Sequence, residues 1–382
     1  MKNLNEKKKY LFVYLKTGGG HLAPARAIFN YLNKHITDEV EPKLIYGFEK
    51  TPRWVQYIVE DGYRMLQYTG KWFFEFLYAL NKVPLIARIS CNLLTPFMSK
   101  YLEETILNEK PEKIVIFHFF CIIPIYRILK RNNLSIPIQT VITDPFTPHP
   151  MWFLIKNQNF IVFSKDLKER VIRKKRGYTV QSFPFILDEK FSQSLSNEEV
   201  ISAKKKLDYS PDKKMILILG GGDGIPKGEK ILNELLQSDI NAEIGIVCGK
   251  NEVLQTAAES LKKSSNADHL KIYGYVDFIF ELINISDVVI TKCGASTIME
   301  ILNLKKVPVV NDYIWEQELG NVDYLIEKKL GIYEPQIKNL PRAVKNLLED
   351  VKLYSSYKEN ITNENIQNGV AKVAEYIIDK TN

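Results

Sequence analysis

His21 closes the segment TGGGH, which follows the apolar run LFVYL and precedes the helical run APARAIFNYL. With no Cβ in the way, backbone N–H groups in such a turn can approach an anion or a sugar closely. A histidine at its mouth, at the carboxyl end of a strand, titrates near neutral pH and can take a proton as a general base. The same residues also suit a plain βα turn with a polar cap, because the strict GxGxxG spacing and its downstream ribose acid are not clearly present.

A second turn, GGGDG at 220–224 and so including Gly221 and Gly222, repeats the arrangement after the run MILIL. The third segment, ITKCGASTIMEILNLKKVPVVNDYIWEQELGN at 290–321, carries the most information. After the run VVIT, the residues Gly294, Ala295, Ser296 and Thr297 open a helix whose first amides and hydroxyls suit a diphosphate. Glu300, one turn further in, can reach two ribose hydroxyls with its carboxylate, or it is an ordinary solvated helix residue. Asn311, Asp312, Gln317, Glu318 and Asn321 then form a polar set suited to sugar hydroxyls, or a surface loop.

These residues need elements to hold them. Strand-like runs (LFVYL, PKLIY, KIVIF, IPIQTVI, NFIVF, TVQSF, then MILILGG, AEIGIVCG, LKIYGY, VVITKCG, VPVV) alternate with amphipathic helical runs throughout. Short continuous apolar strands of this kind imply parallel sheets covered on both faces, so the pattern predicts two doubly wound α/β domains. With 382 residues, a two-domain chain is also the expectation from length. The expected division is a first domain at 1–185, a second at 186–345, and helices at 346–382 that pack back on the first. The polar stretch around Pro184 to Pro211 is the expected linker.

Composition excludes several classes. Hydrophobic residues at 45% and charged residues at 25% are ordinary globular values, not those of a disordered or repetitive chain. The four cysteines, Cys91, Cys121, Cys248 and Cys293, show no CxxC spacing, which argues against a zinc module or a disulfide framework and for a reducing, cytoplasmic setting. LFVYL is too short for a signal-peptide core, and IVIFHFFCIIPI is interrupted by His118 and Pro124 and falls short of a bilayer span.

Net charge is +7, unevenly spread: residues 1–185 hold 28 Lys and Arg against 15 Asp and Glu, and the remainder holds 24 against 30. A basic first half suits approach to an anionic surface. Within it, residues 51–101 concentrate aromatics, among them Trp54, Trp72, Phe73 and Phe74, interleaved with Arg53, Arg64, Lys71, Lys82, Arg88 and Lys100. Such a stretch can lie in the headgroup layer of an anionic bilayer, line a single-stranded nucleic acid, or form helical core. The lipid reading also accounts for the charge asymmetry and is the one adopted, with no nucleic-acid partner.

TGGGH, ITDPFTPHPMW, GGGDG and ITKCGAST with NDYIWEQELGN, in this order, resemble the GT-B glycosyltransferases that include monogalactosyldiacylglycerol synthase, processive diacylglycerol glucosyltransferase and the peptidoglycan N-acetylglucosaminyltransferase, and most of all the first. The resemblance implies two Rossmann-like domains facing across a cleft. It implies inverting transfer of galactose or glucose from a UDP-hexose to diacylglycerol or a related lipid at the cytoplasmic membrane, by a peripherally associated enzyme. It places His21 to deprotonate the acceptor, with Asp144 near it and Gly19, Gly20, His149 and Trp152 on the acceptor side. It places Tyr275 and Val276 at the uracil, Gly294, Ser296 and Thr297 at the diphosphate, Glu300 at the ribose, and Gln317 with Glu318 at the donor sugar, with Gly221 and Gly222 also among the donor-binding residues.

No DxD sequence occurs, so helix N-termini and glycine amides are expected to stabilise the departing UDP, with no metal and no cofactor. The chain departs from its relatives in three places. Ser182 stands for a glycine with no arginine after Pro184, Leu22 follows the histidine in place of arginine, and Ala295-Ser296 replaces Pro-Gly. Transfer to a polyprenyl-linked acceptor, UDP-sugar epimerisation, and a non-catalytic UDP-sugar-binding membrane protein are the rival expectations.

Overall fold

The computed structural model describes residues 7–62, 65–66 and 70–379; Arg64 lies outside them. The chain divides into two compact units, one built from residues up to Glu189 together with the segment from Asn368, the other from Lys190–Gln367.

In the first unit, β1 (Lys8–Tyr14), β2 (Val40–Tyr46), β3 (Lys113–Ile116), β4 (Ile138–Val141), β5 (Asn159–Val162) and β6 (Thr179–Ser182) form one parallel sheet in the order β2-β1-β3-β4-β5-β6. The unbroken apolar runs reflect burial on both faces, complete along β3 and β4. The chain leaves β1 on one side for β2 and returns on the other for β3. The carboxyl ends of β1 and β3 therefore flank the point where strand order reverses, the usual crevice of an open parallel sheet.

Helix α1 (Gly19–His35) follows β1 and buries Ala25, Ala27, Ile28 and Leu32. Between β2 and β3 come α2 (Arg53–Gln56), which runs into a π-helical turn Tyr57–Asp61, then α3 (Lys71–Leu80) and α4 (Pro84–Glu109). No helix among the described residues is long and apolar enough to cross a membrane. Helix α5 (Ile122–Arg131) covers the next crossover, and α6 (Lys165–Ile172) starts at Ser164, whose hydroxyl accepts from the Leu167 N–H.

The second unit opens with α7 (Asn197–Lys206), entered through a reciprocal Ser196–Glu199 cap. Strands β7 (Met215–Leu219), β8 (Glu243–Val247), β9 (Leu270–Tyr273), β10 (Val288–Lys292), β11 (Val307–Asp312) and β12 (Ile332–Tyr333) form a second parallel sheet ordered β12-β11-β10-β7-β8-β9. Here the reversal lies between β7 and β10. The crossovers are α8 (Gly228–Leu236), α9 (Glu252–Ser264), α10 (Ile279–Ile285), α11 (Ala295–Asn303) and α12 (Trp315–Glu327).

Helices α13 (Leu340–Glu349) and α14 (Val351–Glu364) stay with this unit, where Leu340, Val344, Leu347 and Ile361 are buried in its core. Among the described helices that follow β12, only α15 (Val370–Ile378) returns to the first unit. Its Val370, Val373, Ala374 and Ile377 enter that core, and Lys113 Nζ donates to the Ile377 carbonyl at 2.6 Å. All four cysteines are buried and unbridged.

Candidate active site

In the first unit, the turn after β1, the residues after β3 and the residues after β4 meet around His21. The residue is 5% exposed. Nδ1 lies 2.8 Å from the Phe117 carbonyl and 2.8 Å from Thr143 Oγ1. A carbonyl oxygen only accepts, so Nδ1 carries the proton and Nε2 keeps its lone pair. Burial holds the imidazole below its usual titration range, opposed by the charge of Asp144 and by the Phe117 hydrogen bond. The ring is thus neutral near pH 7, while a carboxylate stands ready to stabilise it once protonated.

Asp144 is itself buried, and its Oδ2 accepts from Trp152 Nε1 at 3.0 Å. Trp152 is wholly buried, so it forms part of the wall and not an exposed loop contact. His149 is buried as well: its Nδ1 accepts from the Met151 N–H at 3.2 Å and its ring meets Tyr78 edge-on at 4.5 Å. Cβ atoms built on Gly19 and Gly20 would meet nothing within 4 Å, so the turn beside His21 is open.

Two residues that sequence reasoning passed over complete this wall. His118 stacks edge-on against His21 at 4.4 Å between ring centroids. Its Nδ1 accepts from the Phe120 N–H at 3.2 Å, so Nε2 donates to Thr17 Oγ1 at 2.8 Å and ties the glycine turn to β3. Burial, then the charge of His21, pushes its pKa well down. Thr143, beside Asp144, is the other. The available signal was a histidine placed directly after an apolar strand run.

In the second unit, the turns after β7, β8, β9 and β10 converge. Gly221 has φ of +84°, and a Cβ there would lie 4.0 Å from Thr297 Oγ1, which puts the GGGDG turn against the start of α11. At Gly249, a Cβ would come within 2.3 Å of the Gly222 carbonyl, so the turns after β7 and β8 interlock only through glycine. Gly222 faces open space. Tyr275 is 64% exposed with Lys250 Nζ 5.6 Å from its ring centre, and Val276 next to it is half-buried.

Gly294 caps α11, with Ser296, Thr297 and Glu300 half-buried along its first turns. Gln317 lies in the first turn of α12, also half-buried. Glu318 is already engaged: Oε1 lies 3.0 Å from Lys292 Nζ and Oε2 accepts from the Ile314 N–H at 2.7 Å. Four buried polar atoms of this segment have no hydrogen-bond partner, namely Ser296 Oγ, Asn311 Oδ1, Trp315 Nε1 and Asn321 Oδ1. Buried polar groups are normally satisfied, so a cluster of orphans marks a place where a polar ligand would supply the missing bonds. Among the described residues, no group of three His, Cys, Asp or Glu side chains could hold a metal ion.

The aromatic stretch is divided by helix geometry. Trp72, Phe73, Phe76 and Leu80 lie along one exposed side of α3, and Leu85, Ile89 and Leu93 recur every four residues on α4. Trp54 and Trp72 are 59% and 75% exposed. Phe74 belongs elsewhere: it is 6% exposed and packs on Tyr78, one turn along the inner side of α3. Its expected place at the surface is corrected accordingly.

Residues 21–182 match the family model described as Monogalactosyldiacylglycerol (MGDG) synthase, and residues 215–377 match that of the Glycosyltransferase family 28 C-terminal domain. The chain is 26% identical over 382 residues to the processive diacylglycerol beta-glucosyltransferase of Bacillus subtilis (strain 168), spanning 99% of this chain and 97% of that one. It is 27% identical over 352 residues to monogalactosyldiacylglycerol synthase 2, chloroplastic, of Arabidopsis thaliana, spanning 88% of this chain and 73% of that one. In fold it is similar to Os79 from O. sativa in complex with U2F and trichothecene, with a TM-score of 0.66 at 12% identity over 96% of this chain and 99% of that one.

Proposed function

The chain belongs to the GT-B glycosyltransferases of the monogalactosyldiacylglycerol synthase and processive diacylglycerol glucosyltransferase family, and from that premise we propose that it transfers a hexose from a UDP-sugar to the free hydroxyl of diacylglycerol, with inversion. The observation that carries the catalytic half of this reading is the setting of His21: Nδ1 faces the Phe117 carbonyl at 2.8 Å, which assigns the lone pair to Nε2, and the charge of Asp144 acts on the ring.

In this mechanism Nε2 takes the proton of the acceptor hydroxyl as its oxygen bonds to the sugar's anomeric carbon. The bond from that carbon to the phosphate oxygen breaks, and its electron pair leaves with UDP. Asp144 stabilises the imidazolium through its charge, and Phe117 and Thr143 hold the ring in one orientation. Gly19 and Gly20 leave room for the acceptor. On the donor side, Tyr275 and Val276 take the uracil, Glu300 the ribose, and Gly221, Gly222, Gly294, Ser296 and Thr297 the diphosphate. Gln317 and Glu318 meet the hexose, and the amides of the α11 first turn supply the electrostatic stabilisation that a metal supplies in other enzymes.

The acceptor is a membrane lipid, so the exposed apolar sides of α2, α3 and α4 form the surface that enters an anionic bilayer, with the basic balance of this half of the chain drawing it there. The test is label transfer from UDP-glucose or UDP-galactose, in separate reactions, to liposomes of diacylglycerol with phosphatidylglycerol. Labelled glycolipid is expected from one donor at least. UDP binding without lipid labelling would overturn the acceptor assignment and bring forward a polyprenyl-linked acceptor or a binding-only protein.

A further inference from the structure

Lys292 ends β10 at an irregularity: the pairing with β11 runs Thr291 to Val310 and then Lys292 to Asp312, skipping Asn311. A bulge at a strand's carboxyl end re-aims the next side chain, and such bulges are common beside active sites. The extra residue, Asn311, belongs to β11, and beside it Lys292 Nζ lies 3.0 Å from Glu318 Oε1, with only 18% and 10% of the two side chains exposed. The ammonium also lies 3.5 Å from where a Cβ on Gly294 would sit, so it stands at the mouth of α11. The first amides of that helix have no intrahelical acceptor. Ser296 Oγ in the same turn has no partner, and neither does the Oδ1 of Asn311 or Asn321, residues 5% and 2% exposed.

We propose that Lys292 is the cation of the donor site, neutralising the diphosphate when the sugar nucleotide binds and the charge that collects on UDP as the glycosidic bond to phosphate breaks. Glu318, besides facing the hexose, holds the ammonium in place. The proposal rests on the UDP-sugar reading of this unit and adds to it a positive charge, which that reading lacks. Removing an ion pair this far from water gains little net stability, so a retained pair beside orphaned polar groups fits a site that waits for an anion. Glu318 can serve because its other oxygen is fixed by the Ile314 N–H and α12 anchors it, with Asn321 Nδ2 tying the same helix to the Cys293 carbonyl at 2.8 Å.

The experiment compares UDP and uridine binding by calorimetry in the full chain carrying Lys292→Gln or Lys292→Arg. Lys292→Gln is expected to weaken UDP about 10- to 100-fold while uridine affinity stays within about twofold, and Lys292→Arg to keep UDP affinity within a few-fold. If Lys292→Gln does not fold, the double variant Lys292→Gln/Glu318→Gln replaces the ion pair by a neutral hydrogen-bonded one and is expected to show the same selective loss. Equal loss of UDP and uridine, or unchanged UDP binding, overturns the assignment. A wild-type protein that binds neither overturns the donor reading itself, and this assignment with it.

Discussion

Trp152 donates from its indole nitrogen to Asp144 Oδ2 at 3.0 Å, and the ring that does so is entirely buried. The carboxylate that acts on His21 is therefore aimed by the core of its domain, and a change in the core should be felt in the chemistry. Trp152→Phe keeps most of the packing and deletes that donor. It is expected to lower kcat several-fold with KM for the UDP-sugar unchanged, whereas Trp152→Ala should also cost about 3–5 kcal/mol of stability by denaturant titration. Unchanged kcat in the phenylalanine variant would show that Asp144 is held well enough without it.

Replacing His21 by alanine removes the proposed base and nothing on the donor side. Label transfer should fall about 10²- to 10⁴-fold while UDP affinity stays as in the wild type. Loss of UDP binding in parallel would assign the residue a structural role only.

Acid should silence the enzyme by protonating His21. Because burial depresses its pKa, the acid limb of kcat/KM is expected below pH 6.5, and lower still in Asp144→Asn, where the opposing charge is gone. The sign for stability follows from the same shift. Between the lowered folded value and 6.5 the unfolded chain binds more protons, so the contribution of His21 is full above 6.5 and is lost as pH falls through that window. Denaturant midpoints measured from pH 7.5 down to 5 should decline in wild type and decline less in His21→Ala.

Charge placed on the exposed apolar stripes should block docking without touching the chemistry. Trp72→Glu with Leu85→Glu is expected to reduce sedimentation with phosphatidylglycerol vesicles by tenfold or more, at roughly 1.5–3 kcal/mol per buried large side chain. Activity on a short-chain diacylglycerol dispersed in detergent should be retained. Equal loss in both assays would mean the stripes belong to the acceptor site or to folding.

If helix N-terminal amides and Lys292 stabilise the departing UDP as proposed, transfer should proceed unchanged in excess EDTA, and added magnesium or manganese should not raise it more than about twofold. Abolition by EDTA with recovery on adding a divalent cation would refute this.

Much of the fold was legible because strands such as KIVI and MILIL are buried on both faces and so stand out as continuous apolar runs. β12, two residues long, is too short to leave such a trace. The site was legible where a residue announces itself locally. His21 follows its own glycine turn, and Gly294 to Thr297 open their own helix. Lys292 does not, and His118 does so only as a histidine after an apolar run; the partners of both, Glu318 and Thr17, are distant in sequence and brought close by the fold. Phe74 shows the reverse: aromatic composition marks a surface, but the period of α3 decides which ring reaches it.

The return of α15 to the first unit has a consequence for biosynthesis. The sheet and helix α1 that hold His21 are translated long before residues 370–378, whose Val370, Val373, Ala374 and Ile377 fill the same core. As these residues leave the ribosome only after the whole second unit, the first unit emerges with that part of its interior uncovered. It stays a client for chaperones until the second unit has been made. A chain truncated after residue 367 should accordingly be protease-sensitive around α1 and resistant across β7 to β12.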